Sequence, residues 1–222
     1  MCGRFTLTAD LEQLEERFSF QATQLAFTPH YNIAPSQPVL AVIGTEERRG
    51  GFLRWGLIPS WAKDPAMGNR MINARAETVA EKPSFRRALQ KRRCLVLADG
   101  FYEWKKEAKT KTPMYIRLYS REPFGFAGLW ETWQSPDGEK THSCTILTTE
   151  PNTLMAPIHH RMPVILSREG EALWLDRSIE APEQLLPLLA SYPAEAMEAY
   201  AVSAVVNSPR NDAPGCIAPL PQ

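Results

Sequence analysis

The chain begins Met1-Cys2-Gly3-Arg4-Phe5, with a cysteine directly behind the initiator methionine. Once Met1 is removed, Cys2 carries a free thiol and a free α-amine on adjacent carbons. Such a 1,2-aminothiol captures aldehydes in a way no internal cysteine can. The competing reading is an inert cysteine near a terminus. Three polar clusters that interrupt apolar context offer partners. In "MINARAE" (71–77), Asn73 lies between Ile72 and Ala74, a poor place for a merely solvated amide, and Arg75 follows. A turn asparagine bonding its own backbone and an ordinary surface arginine are the alternatives there. In "ADGFYEWKK" (98–106), strand alternation places Phe101, Glu103 and Lys105 on one face, with Tyr102 and Trp104 on the other. A carboxylate desolvated among aromatics gains proton affinity and becomes a candidate general acid/base. An exposed Glu103 paired with Lys105 or Arg117 is the rival. In "APIHHRMPVIL" (156–166), His159, His160 and Arg161 precede a proline and an apolar run. Neighbouring histidines point apart in an extended chain, which argues against joint metal binding and leaves a hydrogen-bonded loop histidine as the alternative.

The elements that must carry these groups are mostly short. Residues 9–18, "ADLEQLEERF", put Leu11, Leu14 and Phe18 on one helical face. Strands are expected at 38–43 and 51–58 around the turn "GTEERRG", and at 94–99, 101–106, 114–120, 124–131, 143–150, 163–166 and 199–206. Helices are expected at 84–90, 169–175 and 182–189, the last shortened by Pro187. The tail "APGCIAPLPQ" reads as an extended wrap. Strands in consecutive runs predict an α+β fold with a mostly antiparallel, curved or barrel-like sheet. A single domain over 1–222 is expected, with a core at 1–206 and an extended tail at 207–222.

Bulk properties narrow the function classes. The 222 residues have zero formal net charge and are 44% hydrophobic, as a soluble globular domain would be. No global basic field advertises a nucleic-acid binder, so any phosphate site must be a local groove. No apolar run approaches the roughly 20 residues that span a bilayer. The N-terminus turns polar by Thr6 and Thr8, unlike a signal peptide. A cytoplasmic, monomeric protein without membrane attachment is expected. Cys2, Cys94, Cys144 and Cys216 form no C-x-x-C pair and no zinc-ligand spacing. No metal, cofactor or disulfide framework is therefore expected.

The ordered set "MCGRF", "YNIAPSQ" (31–37), "WGLIPSW" (55–61), "INARAET" (72–78), "ADGFYEW" (98–104) and "IHHRMP" (158–163) resembles the SRAP family, the SOS-response-associated, abasic-site processing proteins. The resemblance spreads over residues 1–163 and so concerns the whole domain. It implies a single α+β domain around a curved sheet with a positively charged groove. It also implies a catalytic set at Cys2, Asn73, Glu103 and His159. One departure is His160, where family members usually carry an acid beside the catalytic histidine.

The implied partner is an abasic site in single-stranded DNA, whose ring-opened sugar exposes an aldehyde; nucleoid association during DNA damage would follow. A terminal α-amine with pKa about 7.7–8.0 is partly neutral at pH 7 and forms a Schiff base. The neighbouring thiol then closes a five-membered thiazolidine, an intramolecular step. Glu103 and His159 would move protons, and Asn73 would hold the Cys2 backbone or a sugar hydroxyl. Arg4, Arg75 and Arg161 would bind phosphates. Trp55, Trp61 and Met71 would stack on bases, with core packing as the alternative for all three. Self-removal of Met1 and strand cleavage are accompanying activities of this reading. Its rivals are a glutaminase of the N-terminal-cysteine amidotransferase type and a module that binds single strands without covalent chemistry.

Overall fold

A computed structural model describes residues 2–22, 25–44, 47–107 and 110–221. A continuous run of apolar residues builds its centre. Strand β6 (Arg93–Ala98) is buried at every position, because it has neighbours on both edges and both faces. Strand β3 (Pro38–Ile43) lies along one edge and β9 (Phe124–Gln134) along the other, both antiparallel. Strand β4 (Arg49–Trp55) pairs with β3, and β10 (Lys140–Thr149) pairs with β9. A parallel contact of β10 with β4, Ser143 opposite Arg54 and Cys144 opposite Trp55, closes these strands into a barrel.

Beyond that closure β10 continues and takes two short partners. Strand β5 (Asn73–Arg75) runs parallel to it, with Asn73 opposite Ile146, and β11 (Met162–Pro163) runs antiparallel. Strand β4 stops at Trp55, short of the expected 58, because Gly56 turns the chain at φ +127°. A Cβ there would stand 2.6 Å from the Gly68 carbonyl, so only glycine fits.

A second, antiparallel sheet packs on the barrel. It begins at β1 (Phe5–Leu7), which lies between β2 (His30–Ile33) and β7 (Gly100–Glu107). It continues through β8 (Thr110–Leu118) to β12 (Met197–Ala201). Its inner face meets the barrel through Phe5, which lies edge-on to Trp55 at 5.1 Å and to Phe126 at 5.7 Å. Its outer face carries Tyr102 and Tyr115, with Val202, Val206 and Cys216 packed over them. Phe101 and Tyr102 are thus both fully buried although they face opposite ways.

Helix α1 (Leu11–Phe18) is capped by Asp10, which accepts from the Gln13 amide, and buries Leu14 and Phe18 as its periodicity predicts. Helix α2 (Arg86–Lys91) leads into β6, and α3 (Arg168–Leu175) buries Trp174 against the barrel. Helix α4 (Pro182–Leu185) gives way to a 3-10 turn over Leu186–Leu189, since Pro187 has no N–H to continue it. The strand expected at 199–206 ends at Ala201, and a Ser203-capped 3-10 turn follows. The expected strand 163–166 is reduced to Met162–Pro163 and one bridge at Ile165. The final segment is not uniformly extended: it makes a 3-10 turn at Pro214–Cys216 before Pro219 bridges Val202. All four cysteines are free and buried. Among the described residues no helix is long and apolar enough to cross a membrane.

Candidate active site

Cys2 enters the core directly ahead of β1 and is fully buried. Its Sγ points at the Arg4 carbonyl, 3.9 Å away. Burial pushes the thiol pKa well up, and the neighbouring Glu103 carboxylate adds to the effect. A neutral thiol is therefore the resting form.

Asn73 reaches this cysteine from the barrel. Its Nδ2 donates to the Cys2 carbonyl at 2.8 Å, across 71 positions of sequence. The preceding residue is fixed on two sides, because the Ile72 carbonyl accepts from the Trp55 indole at 2.9 Å and from the Ile146 amide at 3.1 Å. Asn73 is thus a tertiary ligand of the N-terminal strand, and the self-bonded turn is set aside.

Glu103 sits on β7 opposite Met114 and is 4% exposed. Desolvation raises its proton affinity above that of an ordinary carboxylate. His159 Nδ1 lies 3.9 Å from Glu103 Oε1. The same nitrogen is 3.1 Å from both the amide nitrogen and the carbonyl oxygen of Arg161. One atom can accept its proton and the other can donate to it, so the imidazole changes protonation without turning. Burial holds the His159 pKa below its usual value. The His160 ring leans on it at 4.3 Å and 32°, and mutual charge repulsion lowers His160 as well. The loop carrying both histidines is pinned by buried Met155, whose carbonyl accepts from the Ile158 and His159 amides.

The other expected site residues divide. Arg161 turns its guanidinium inward, onto both oxygens of Glu77 at 2.7 and 2.9 Å and onto the Thr148 carbonyl at 2.6 Å. Arg4 is likewise committed within the fold, to Asn32 Oδ1 at 2.7 Å and the Val206 carbonyl at 2.8 Å, with Trp104 beneath it. Arg75 is exposed. Trp61 is 58% exposed, whereas Met71 is half-buried against the core. Trp55 is a correction: its ring is 0% exposed and packs on Phe5, so core packing, not base stacking, is its role. Met1 lies outside the described residues. Among the described residues no cluster of three or more His, Cys, Asp or Glu side chains is arranged to hold a metal.

Glu77 and Asp99 escaped the sequence reading. Glu77 ends the "MINARAE" stretch, but nothing local signals its ion pair with a residue 84 positions away. Asp99 accepts from the Thr6 hydroxyl, the Thr8 amide and hydroxyl and the Ala9 amide, and so clamps the strand that presents Cys2. Aspartate before a glycine at a strand junction signals a turn as readily as a clamp.

A family model described as SOS response associated peptidase (SRAP) matches residues 1–209. The chain belongs to the SRAP family. Among SRAP relatives, the abasic site processing protein YoqW of Bacillus subtilis is 51% identical, over 98% of this chain and 99% of that protein. The abasic site processing protein HMCES of Xenopus tropicalis is 32% identical, over 99% of this chain and 78% of its own length. A crystal structure of a protein from Bacteroides thetaiotaomicron superposes with a TM-score of 0.91 at 28% identity, covering 99% of this chain and all of that one. The SRAP assignment read from the six motifs is borne out, as is the α+β barrel-like fold.

Proposed function

We propose that this SRAP protein senses abasic sites in single-stranded DNA and shields them as a covalent adduct of Cys2. The α-amine of Cys2, freed by loss of Met1, attacks the sugar aldehyde to give a carbinolamine, which loses water to form an imine. The thiol adds to the imine carbon while the imine nitrogen takes up a proton. The product is a thiazolidine, and the balance is aminothiol plus aldehyde giving ring plus water. The hydrogen bond from Asn73 to the Cys2 carbonyl carries this reading, because it holds both nucleophiles at one place beside Glu103 and His159.

Burial sets the division of labour. The thiol resists ionisation where it sits, so a base must take its proton during ring closure, and Glu103 has the raised proton affinity for that task. Two negative charges in a dry site repel, so the Glu103 carboxylate keeps the thiol protonated until ring closure. His159, neutral at pH 7, serves the sugar oxygen as a second acid/base. Exposed Arg75 takes a phosphate and exposed Trp61 stacks on an unpaired base. Self-removal of Met1, competing strand cleavage, a monomeric state and a cytoplasmic location belong to the same reading.

The deciding experiment incubates Met1-processed protein with a single strand bearing one abasic site, followed by denaturing gel and intact mass. A one-to-one adduct at the mass of protein plus DNA minus water is expected. It should vanish in Cys2→Ala and with undamaged DNA. A stable adduct that persists in Cys2→Ala would overturn the mechanism. Reversible, salt-dependent binding indifferent to the aldehyde would instead favour the non-covalent module.

A further inference from the structure

Strand β3 leads away from the reaction centre to a second concavity. Its first residue, Pro38, pairs with Arg54 beside the active-site end of β4, and its last, Ile43, lines a cavity of about 440 Å³. Five residue steps along a strand span about 17 Å, so this cavity is separate from the Cys2 site. Among the described residues, four of its lining side chains are cationic (Arg49, Lys91, Arg93 and Arg177) against one carboxylate, Glu47. An aromatic wall is supplied by Trp130, and an adjoining apolar hollow of about 200 Å³ shares that residue.

Arg93 is the informative member. It is 6% exposed, yet its guanidinium lies over the Trp174 ring and donates hydrogen bonds to main-chain carbonyls alone: Trp174 at 2.6 Å, Leu89 and Gln90 at 2.8 Å, and Asp176. Four of its five N–H groups are thereby used, and among the described residues no carboxylate forms an ion pair with it. The Asp176 and Glu180 carboxylates attract it through space, but its hydrogen-bond partners are neutral dipoles, and an anion in the adjoining space would lower the cost of its burial further. Arg177 is exposed at the mouth and also has no ion-pair partner among the described residues. Lys91 and Arg49 share their charge with Glu180 and Glu47 respectively, both exposed.

We propose that this cavity is a second, non-catalytic nucleotide site, in which a phosphate meets Arg93 and Arg177 while the attached base lies against Trp130. The shared chemistry, a phosphate ester next to a planar base, occurs in a free mononucleotide and in a nucleic-acid strand. The site stands apart from the covalent chemistry of Cys2 and does not depend on it.

The test is calorimetric titration of the full-length protein with deoxyadenosine monophosphate, inorganic phosphate and an undamaged deoxythymidine 20-mer. The proteins compared are wild type, Arg177→Glu, Arg49→Glu and Trp130→Leu, with Arg210→Glu as a control of equal charge change on another surface. Circular dichroism verifies that each is folded. Saturable mononucleotide binding, weakened at least tenfold by Arg177→Glu and not by Arg210→Glu, supports the site with a free nucleotide as occupant. No mononucleotide binding, but 20-mer affinity lost in the two cavity arginine variants and kept in Arg210→Glu, supports a strand as occupant. Equal affinities for phosphate and nucleotide, insensitive to Trp130→Leu, would overturn the role of the base. Affinities unchanged throughout would overturn the site. Adduct formation at Cys2 is measured in parallel and is expected to continue in every variant, so failure here is distinguishable from failure of the covalent mechanism.

Discussion

Glu77 and Arg161 face each other through a two-point ion pair of 2.7 and 2.9 Å, and the backbone of that same arginine cradles the imidazole of His159. Arg161 thus fastens the histidine loop to the segment that carries Asn73. Its hydrogen bonds hold the Glu77 carboxyl below its ordinary pKa. Glu77→Gln is expected to slow adduct formation five- to tenfold, about 1 kcal/mol once the carboxylate's 45% exposure is discounted. The stabilising effect of the pair is present above the ordinary carboxyl value of 4.5 and lost as pH falls through the lowered one. Melting temperatures of wild type and variant should therefore converge on acidification. Identical rates at every pH would show that Glu77 does not position the site.

Glu103 behaves in the opposite sense. Its folded pKa is raised by desolvation, so the native state binds its proton more tightly than the unfolded chain does. Stability is then lost as pH rises from the ordinary carboxylate range through the raised value. Glu103→Gln is expected to melt above wild type at pH 8, with the gap closing toward pH 4, while adduct formation slows at least tenfold. A variant less stable than wild type at pH 8 would contradict the desolvation account.

The Asn73 amide supplies one hydrogen bond to the Cys2 carbonyl. Removing it in Asn73→Ala withdraws about 1–1.5 kcal/mol of positioning, or roughly tenfold in rate. Asn73→Asp should be worse, because a carboxylate cannot donate and adds charge beside Glu103. Single-turnover crosslinking at saturating DNA reads both; an aspartate variant as fast as wild type would remove the hydrogen bond from the mechanism.

Asn32 is 1% exposed and shares its amide hydrogens among the carbonyls of Val206, Ser208 and Asn211, while its Oδ1 accepts from Arg4. Asn32→Leu leaves several of these buried groups unsatisfied and is expected to cost about 2–4 kcal/mol in urea unfolding. The segment 203–221 should become the first site of proteolysis. Unchanged midpoint and cleavage pattern would show that the segment is held by its apolar contacts alone.

Gly100 allows the Tyr115 hydroxyl to approach Thr6 at 2.9 Å, and a Cβ at position 100 would fall 2.1 Å from that hydroxyl. Gly100→Ala is expected to destabilise the protein by about 1–3 kcal/mol and to disturb the Asp99 clamp on β1. Tyr115→Leu removes the hydroxyl and the ring carbons 2.3 and 2.6 Å from that Cβ, so the double variant should recover part of the loss in thermal melts. Additive effects would place the strain elsewhere.

The sequence alone determined which groups the chemistry needs and the kind of sheet that holds them. A cysteine at position 2 has its amine and thiol on one residue, so that pairing is covalent and independent of folding. Runs such as "CLVLAD" and "SCTILTT" bury themselves wherever they pair, which is why the long strands were legible while three-residue strands such as β1 and β5 were not. Burial and partnership were decided by tertiary structure. Trp55 and Trp61 lie six residues apart in one motif, yet barrel closure buries the first completely and leaves the second 58% exposed. Arg4 and Arg161 looked like free cations, but each found oxygen partners from segments far along the chain. Charge and hydrogen bonding act through space over a few ångströms, and only the folded chain sets which side chains come that close.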